Sequence, residues 1–159
     1  MHLQFLMAQR QDCGTILHFI RLLAEYEKLA DQVQADELTL ETWLFDRKSA
    51  QVLFALDGET VIGFALFFYN FSTFMGRAGV YLEDLFVLPA YRGQGVGHAL
   101  MQHLARIACD EGCGRFGWQC LDWNAPSIAF YRSLGAQSMD DWTTYRVSGE
   151  ALTALAEDA

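Results

Sequence analysis

Two adjacent carboxylates, Glu83 and Asp84, stand in the middle of an apolar stretch that runs from Tyr81 to Val87. Such a pair is costly to bury unless it faces water, a partner or a cleft. In a regular strand the two side chains point to opposite faces, so one of them lies against the core unless a bulge re-aims it. Burial raises the pKa of a carboxyl group, which suits a general base working near neutral pH. The alternative is structural, with one solvated edge residue and one hydrogen-bonded cap.

A glycine-rich turn, Arg92-Gly93-Gln94-Gly95-Val96-Gly97, follows this strand and opens a predicted helix. The first N–H groups and the dipole of a helix attract an anion, and glycine lets the anion approach the backbone closely. Arg92 adds a charged contact to a phosphate. Both common nucleotide motifs are absent, because His98 and Ala99 follow Gly97 where a Lys-Ser/Thr pair or a third glycine is required. The turn therefore favours a phosphate or pyrophosphate ligand, with a merely structural turn as the alternative.

A third segment, Trp123-Asn124-Ala125-Pro126-Ser127-Ile128-Ala129-Phe130-Tyr131, reads as the start of a helix. Asn124 is a favourable N-cap, and Ser127 lies near the first turn. Phe130 and Tyr131 are core residues by default. A tyrosine hydroxyl also serves as an acid where it reaches a leaving group.

The elements that must position these residues alternate between strands and helices, without a linker or a repeat. Apolar alternation predicts strands over 3–7, 51–56, 61–71, 80–88, 115–121 and 142–147. Helical spacing predicts helices after Asp12 and over 36–45, 96–108, 124–134 and 150–156. The turn Asp57-Gly58 predicts a hairpin between the second and third strands. Interleaved strands and helices predict one α/β domain, residues 1–159, around a largely antiparallel or mixed sheet.

Composition limits the partners of the chain. Twenty acidic residues against 11 basic ones give a net charge of −9, which disfavours nucleic acid and anionic membranes and leaves room for a cationic partner. Its longest apolar stretch, 61–69, is too short to cross a bilayer, and the first residues lack the features of a signal peptide. The four cysteines form no zinc-binding pattern, so we expect no metal site and a reducing cytoplasm.

In their order and motifs these segments resemble the GNAT (Gcn5-related) N-acetyltransferase superfamily. Arg92, Gly95 and Gly97 match its Q/R-x-x-G-x-G/A pyrophosphate motif. Within the superfamily, segments 23–27, 81–87 and 123–127 are similar to the diamine acetyltransferases, which include the spermidine/spermine and thialysine enzymes. The resemblance extends from the strand at Leu3 to Val147 and implies a GNAT fold whose sheet is splayed after the strand that carries Glu83.

The resemblance also implies acetyl-CoA as the co-substrate. Its pantetheine arm would pair with the strand that carries Phe86, Val87 and Leu88. The pyrophosphate would bind the backbone amides of the turn, formed by Arg92, Gly93, Gln94, Gly95, Val96 and Gly97. Asn124 and Ser127 would contact the cofactor, Tyr131 would protonate the departing thiolate, and Glu83 would act as the base, directly or through water. A backbone N–H of the splayed strand would polarise the thioester carbonyl.

For the amine, the resemblance implies substrate contacts at Tyr26, Glu27, Glu83 and Asp84. Asp140 or Asp141 is a candidate for a distal amine, with a solvated turn as the alternative reading. The segment between Tyr131 and Trp142 is shorter than its usual counterpart, so a shorter diamine, thialysine or another primary amine is as plausible as spermidine.

The expected activity is therefore direct transfer of an acetyl group to a small cationic amine while both substrates are bound. Two alternatives stay open. One is acetylation of an amino-acid, peptide or aminoglycoside amine, and the other is a non-catalytic acyl-CoA-binding regulatory module. The resemblance alone implies a homodimer.

Overall fold

The computed structural model describes residues 1–157, which form two compact units. The first unit, Met1–Gln119, contains a five-stranded sheet in the order β1-β2-β3-β4-β5. The first four strands are antiparallel neighbours, and β5 runs parallel to β4. This architecture confirms the prediction of a mixed, mostly antiparallel sheet flanked by helices.

The elements of the sheet unit follow the predicted order. The strands are β1 (Leu3–Met7), β2 (Gln51–Asp57), β3 (Thr60–Ser72), β4 (Arg77–Val87) and β5 (Phe116–Trp118). The helices are α1 (Cys13–Tyr26), the short α2 (Glu37–Leu40), which continues as a π-helical turn through Asp46, and α3 (Val96–Asp110). No described helix has the length and apolar character that a membrane span requires.

Aromatic packing between α1 and the sheet forms the centre of the core. The buried Phe19 ring of α1 lies 5.4 Å from that of Phe64 and 6.4 Å from that of Phe86, measured between centroids. Phe64 and Phe86 face each other as a pair in the β3–β4 ladder. This packing seats α1 against the part of β4 that follows the two carboxylates.

Two predicted boundaries in this unit are wrong. The predicted loop 72–79 is a tight turn, because β3 extends to Ser72 and β4 already begins at Arg77. The Met75 N–H donates to Ser72 Oγ at 3.2 Å, and Gly76 adopts a φ of +67°, so the reversal needs few residues. The fifth strand is shorter than 115–121, because its ladder with β4 covers only Phe116–Trp118.

The second unit begins at Cys120 and contains α4 (Ala125–Ser133) and α5 (Gly149–Glu157). Asn124 caps α4, as the sequence predicts, and Gly135 follows the helix with a φ of +86°, which is typical of a glycine that ends a helix. The predicted strand 142–147 is wrong, because these residues join no ladder in the described part of the chain. Apolar alternation indicates a strand-like face, but a strand also needs a hydrogen-bonding neighbour.

Candidate active site

A β-bulge in β4 sets the geometry of the two predicted carboxylates. Asp84 pairs with Leu66 of β3, whereas the next pair joins Leu82 to Phe67, so Glu83 is the extra residue without a ladder partner. A bulge bends the strand and re-aims the side chains around it. Glu83 is exposed and Asp84 is half-buried, so Asp84 is the more buried carboxylate of the pair.

A third carboxylate, that of Glu27, acts on Asp84 through its charge, as Glu83 does. We call Glu27, Glu83 and Asp84 the acidic cluster, because the charges of the first two act on the third. Burial raises the pKa of Glu27, which immediately follows α1. Burial first, and then the charges of Glu83 and Glu27, raise the pKa of Asp84 to about 7. None of the three carboxylates forms an ion pair within the described residues. The cluster is therefore a place where a cation would relieve both repulsion and desolvation.

The position of the raised pKa differs from the simplest reading of the sequence. The family resemblance implies Glu83 as the base, but the burial that favours such a role falls on Asp84, beside the bulge. This difference arises from the register shift between β3 and β4. The apolar pattern of β4 alone does not reveal the shift, because the shift depends on how β4 pairs with β3.

Along β4, the sheet opens between β4 and β5 at the position of the two carboxylates. Their ladder ends at the pair Leu82 and Trp118, one residue before the bulge. From Glu83 to Val87, β4 has β3 on one side and no strand neighbour on the other within the described residues. Phe86 and Val87, which the resemblance implies for cofactor binding, lie in this open part of β4. The separation of β4 from β5 beyond Leu82 agrees with the splayed sheet that the resemblance implies.

The glycine turn joins this open strand to the N-terminus of α3. Gly93 and Gly95 have φ values of +74° and +85°, in the left-handed region that favours glycine. A Cβ atom added to either glycine would meet nothing within 4 Å, so the turn faces open space. The helix begins at Val96, and its first N–H groups have no intrahelical acceptor. The backbone from Arg92 to Gly97 thus has the features that an anion requires.

The side chains of the turn are occupied locally. Gln94 Nε2 donates to Ala90 O at 3.1 Å, and Arg92 Nε donates to Val87 O at 2.9 Å. The Arg92 guanidinium also packs on the rings of Tyr26 and Phe86, at 5.1 and 5.0 Å from their centroids. Sequence reasoning missed this stack, since it brings together residues from α1, β4 and the turn.

In the second unit, the predicted residues lie at the start and on the last turns of α4. Asn124 is buried, and its Oδ1 accepts from the Ser127 N–H at 3.3 Å. Tyr131 is half-buried and its ring lies 5.4 Å from that of Phe130. Asp140 is exposed and accepts from Ser138 Oγ at 3.0 Å, which is compatible with the solvated turn that the sequence also allows.

Within the described residues, no group of three or more histidine, cysteine, aspartate or glutamate side chains is arranged to hold a metal ion. The four cysteines are free thiols.

Comparison with known proteins identifies relatives that are named as acetyltransferases. The thialysine N-epsilon-acetyltransferase of Bos taurus is 41% identical over 161 residues, which cover 94% of each protein. The spermidine/spermine N(1)-acetyltransferase-like protein 1 of Homo sapiens is 31% identical over 169 residues, covering 98% of this chain and 24% of that protein. Among solved structures, the integron cassette protein VCH_CASS6 from the mobile metagenome of V. cholerae superimposes with a TM-score of 0.83 at 30% identity, with 99% of each chain covered.

The family comparison covers most of the chain, including β4, the glycine turn and α4. The Acetyltransferase (GNAT) family matches residues 16–136, a span that contains the acidic cluster, the glycine turn and α4. With relatives of the same length that are named as N-acetyltransferases, this match settles the class of enzyme. The chain therefore belongs to the GNAT family of acetyltransferases.

Proposed function

We propose that this enzyme transfers an acetyl group from acetyl-CoA to a primary amine of a small cationic substrate, such as a diamine, a polyamine or a thialysine-like amino acid. The observation that carries the proposal is the acidic cluster of Glu27, Glu83 and Asp84, which forms no ion pair within the described residues. Two of its members, Glu83 and Asp84, lie on the strand that leads to the glycine turn. The names of the thialysine and spermidine/spermine relatives support the same class of amine.

Acetyl-CoA fits the open strand and the turn. Phe86 and Val87 lie in the part of β4 that pairs with β3 but not with β5. The amide groups of a pantetheine arm can therefore pair with this backbone as a neighbouring strand would. The N–H groups between Arg92 and Gly97 can receive the pyrophosphate, because glycines at 93 and 95 leave the approach open. Asn124 and Ser127 are proposed as further cofactor contacts.

The chemistry proceeds by direct attack while both substrates are bound. An alkylammonium with a reference pKa near 10.4 must lose a proton before it can attack. We assign that proton to the Glu83–Asp84 pair: Glu83 accepts it directly or through water, and Asp84 and Glu27 hold the cationic amine. The amine nitrogen then bonds to the acetyl carbon, the carbon–sulfur bond breaks, and Tyr131 donates a proton to the thiolate. The nitrogen releases its surplus proton as the amide forms, and a proton taken up through solvent restores the Tyr131 hydroxyl. Orientation of two bound reactants supplies much of the rate.

Tyr26 contributes the apolar wall of the amine site. It ends α1 directly before Glu27, so its ring and that carboxylate can contact the two parts of an alkylammonium. Asp140 or Asp141 would reach a distal amine only in a longer substrate. We therefore expect short diamines and thialysine to be used at least as well as spermidine.

We propose a homodimer, supported by an apolar patch at the tip of the β3–β4 hairpin. Phe71 is 61% exposed, Phe74 103% and Met75 50%. Contiguous exposed apolar side chains of this kind mark an interaction surface. Light scattering at micromolar concentration should give twice the monomer mass, and Phe74→Asp should shift it towards the monomer.

The expected cellular location is a reducing cytoplasm. The four cysteines are free thiols in the structure, and free thiols persist where the environment is reducing. None of them is required by the proposed chemistry, since no covalent enzyme intermediate forms.

The test measures release of coenzyme A from acetyl-CoA, which a thiol reagent detects. The amines to be tested are putrescine, spermidine, thialysine, lysine, a short peptide and an aminoglycoside. Turnover with the diamines or thialysine, and none with their fully N-methylated analogues, is the expected result. Preference for the peptide or the aminoglycoside would establish the alternative substrate class. No turnover with any amine, despite tight binding of coenzyme A, would instead support the acyl-CoA-binding module.

A further inference from the structure

The guanidinium of Arg92 connects the two elements that carry the acidic cluster. Its Cζ lies 5.1 Å from the Tyr26 ring centroid at the end of α1 and 5.0 Å from the Phe86 ring centroid on β4. Those two rings lie 6.5 Å apart at an angle of 65°. The Nε hydrogen bond to Val87 O, at 2.9 Å, fixes the plane of the group. The geometry meets the distance expected for a cation on an aromatic face.

The neighbours of the two rings are the carboxylates of the site. Tyr26 is followed directly by Glu27, and Phe86 stands two residues beyond Asp84. Arg92 is not among the charges that change the pKa of Glu27 or Asp84, and it forms no ion pair with them in the described part of the chain. The side chain therefore holds the elements that bear the cluster without neutralising the cluster.

We propose that Arg92 is a positioning residue for the amine site, whose guanidinium holds the Tyr26 ring against β4 and so fixes the end of α1, which Glu27 follows directly. The pyrophosphate is left to the backbone amides of the turn. This inference rests on the proposed function, because the amine is the substrate of that function. Lysine cannot take the place of this arginine, since an ammonium group has neither the planar face nor the Nε donor.

The test measures two affinities by calorimetry: that of coenzyme A, and that of a diamine added to the complex with coenzyme A. Arg92→Ala and Arg92→Lys should both raise the Kd of the diamine, by roughly three- to tenfold, the range of one cation–π contact. Both should leave the Kd of coenzyme A within about twofold. Arg47→Ala is the matched control, because Arg47 lies 4.6 Å over the Trp43 ring and has no role in the site. It should change neither affinity.

A weaker affinity for coenzyme A with an unchanged affinity for the diamine would overturn the proposal and make the side chain a phosphate ligand. Rescue by Arg92→Lys would overturn it too, because charge alone would then suffice.

A double-mutant cycle with Tyr26→Leu separates positioning from general damage. If Arg92 acts through Tyr26, Arg92→Ala should weaken diamine binding much less when residue 26 is already leucine. Additive effects would overturn the proposal. The wild-type protein distinguishes this outcome from failure of the proposed function: if it acetylates no amine, the function itself fails, whereas turnover with additive effects removes only the role of Arg92.

Discussion

Glu27 and Asp84 come from different elements of the sheet unit, and the charge of Glu27 contributes to the raised pKa of Asp84. Glu27 follows α1, while Asp84 stands beside the bulge of β4. Burial first, and then repulsion by the charges of Glu83 and Glu27, favour a proton on Asp84 when no amine is bound. A bound ammonium group reverses this preference, because its charge favours the carboxylate. Binding of the amine is thus coupled to loss of a proton from the site.

Glu27→Gln should lower the pKa of Asp84, because one of the two repelling charges is removed while burial remains. Turnover declines as pH falls and Asp84 becomes protonated, so this decline should move to lower pH, by a few tenths of a unit to about one unit. The KM for the diamine should rise several-fold with the loss of a cation ligand.

The pH dependence of kcat/KM measures the shift. Glu25→Gln is the control, since Glu25 is exposed on the same helix and is not among the charges acting on Asp84. A decline at the same pH in the wild type and in Glu27→Gln would remove Glu27 from the cluster.

Asp84→Asn should stabilise the fold above neutral pH. In the folded protein the pKa of Asp84 is about 7, against a reference value of 3.8, so the folded state binds a proton that the unfolded state has released. The contribution of Asp84 to the free energy of unfolding is therefore fully present below about pH 4 and is lost as pH rises through about 7.

Asparagine removes this loss, so the variant should be more stable than the wild type at pH 8 by the order of 1–4 kcal/mol, and closest to it near pH 4. Urea unfolding at pH values between 4 and 8 measures the difference. Parallel curves for the two proteins would mean that Asp84 does not titrate in this range. The same variant should lose most of its amine turnover, so stability and activity are opposed at this position.

Much of the fold follows from periodicity. Ile16 and Phe19 on α1, or Leu100 and Leu104 on α3, recur at helical spacing, and all four are buried in the structure. The prediction of a strand over 142–147 is wrong, although its apolar residues alternate as those of a strand do. A strand is completed by a neighbour, and the alternation of apolar residues within one segment does not reveal whether that neighbour exists.

The site follows from sequence less completely than the fold does. The residue types of Glu83 and Asp84 indicate a base, but which one is buried depends on a bulge created by the register with β3. The side chain of Arg92 belongs by sequence to an anion-binding turn, and its length carries the guanidinium to rings on α1 and β4. Contacts made by long side chains between distant segments have no local signature.

Gly95→Ala should weaken coenzyme A binding by roughly tenfold or more, because a methyl group enters the open space over the turn. It should also cost about 1–2 kcal/mol of stability, since alanine is strained at a φ of +85°. Gly58→Ala is the matched control: that glycine has a φ of +60°, and an added Cβ there also meets nothing within 4 Å.

Both variants should therefore show a similar loss in urea unfolding, and only Gly95→Ala should change the Kd for coenzyme A in calorimetry. Wild-type affinity in Gly95→Ala would show that the pyrophosphate does not approach this turn.

Glu83→Gln should lower kcat by roughly 10²-fold, the usual contribution of a general base. Because the charge of Glu83 also raises the pKa of Asp84, the residual activity should decline at a lower pH than that of the wild type. Glu59→Gln, at the exposed β2–β3 turn, controls for the loss of one carboxylate. A wild-type kcat with a wild-type pH profile would exclude Glu83 as the base and leave that role to Asp84 alone.

Tyr131→Phe should lower kcat by roughly 10²-fold and leave the Kd of acetyl-CoA nearly unchanged, because the hydroxyl acts only when the thiolate departs. The phenylalanine ring keeps the packing against Phe130 on α4, so thermal unfolding should change little. Tyr145→Phe is the matched control, since that tyrosine is 90% exposed in the same unit and has no role in the proposed chemistry. Single-turnover measurements with a saturating diamine isolate the chemical step from product release. The single-turnover rate of Tyr131→Phe should fall by the same factor as its kcat. A single-turnover rate equal to that of the Tyr145→Phe control would remove Tyr131 as the acid.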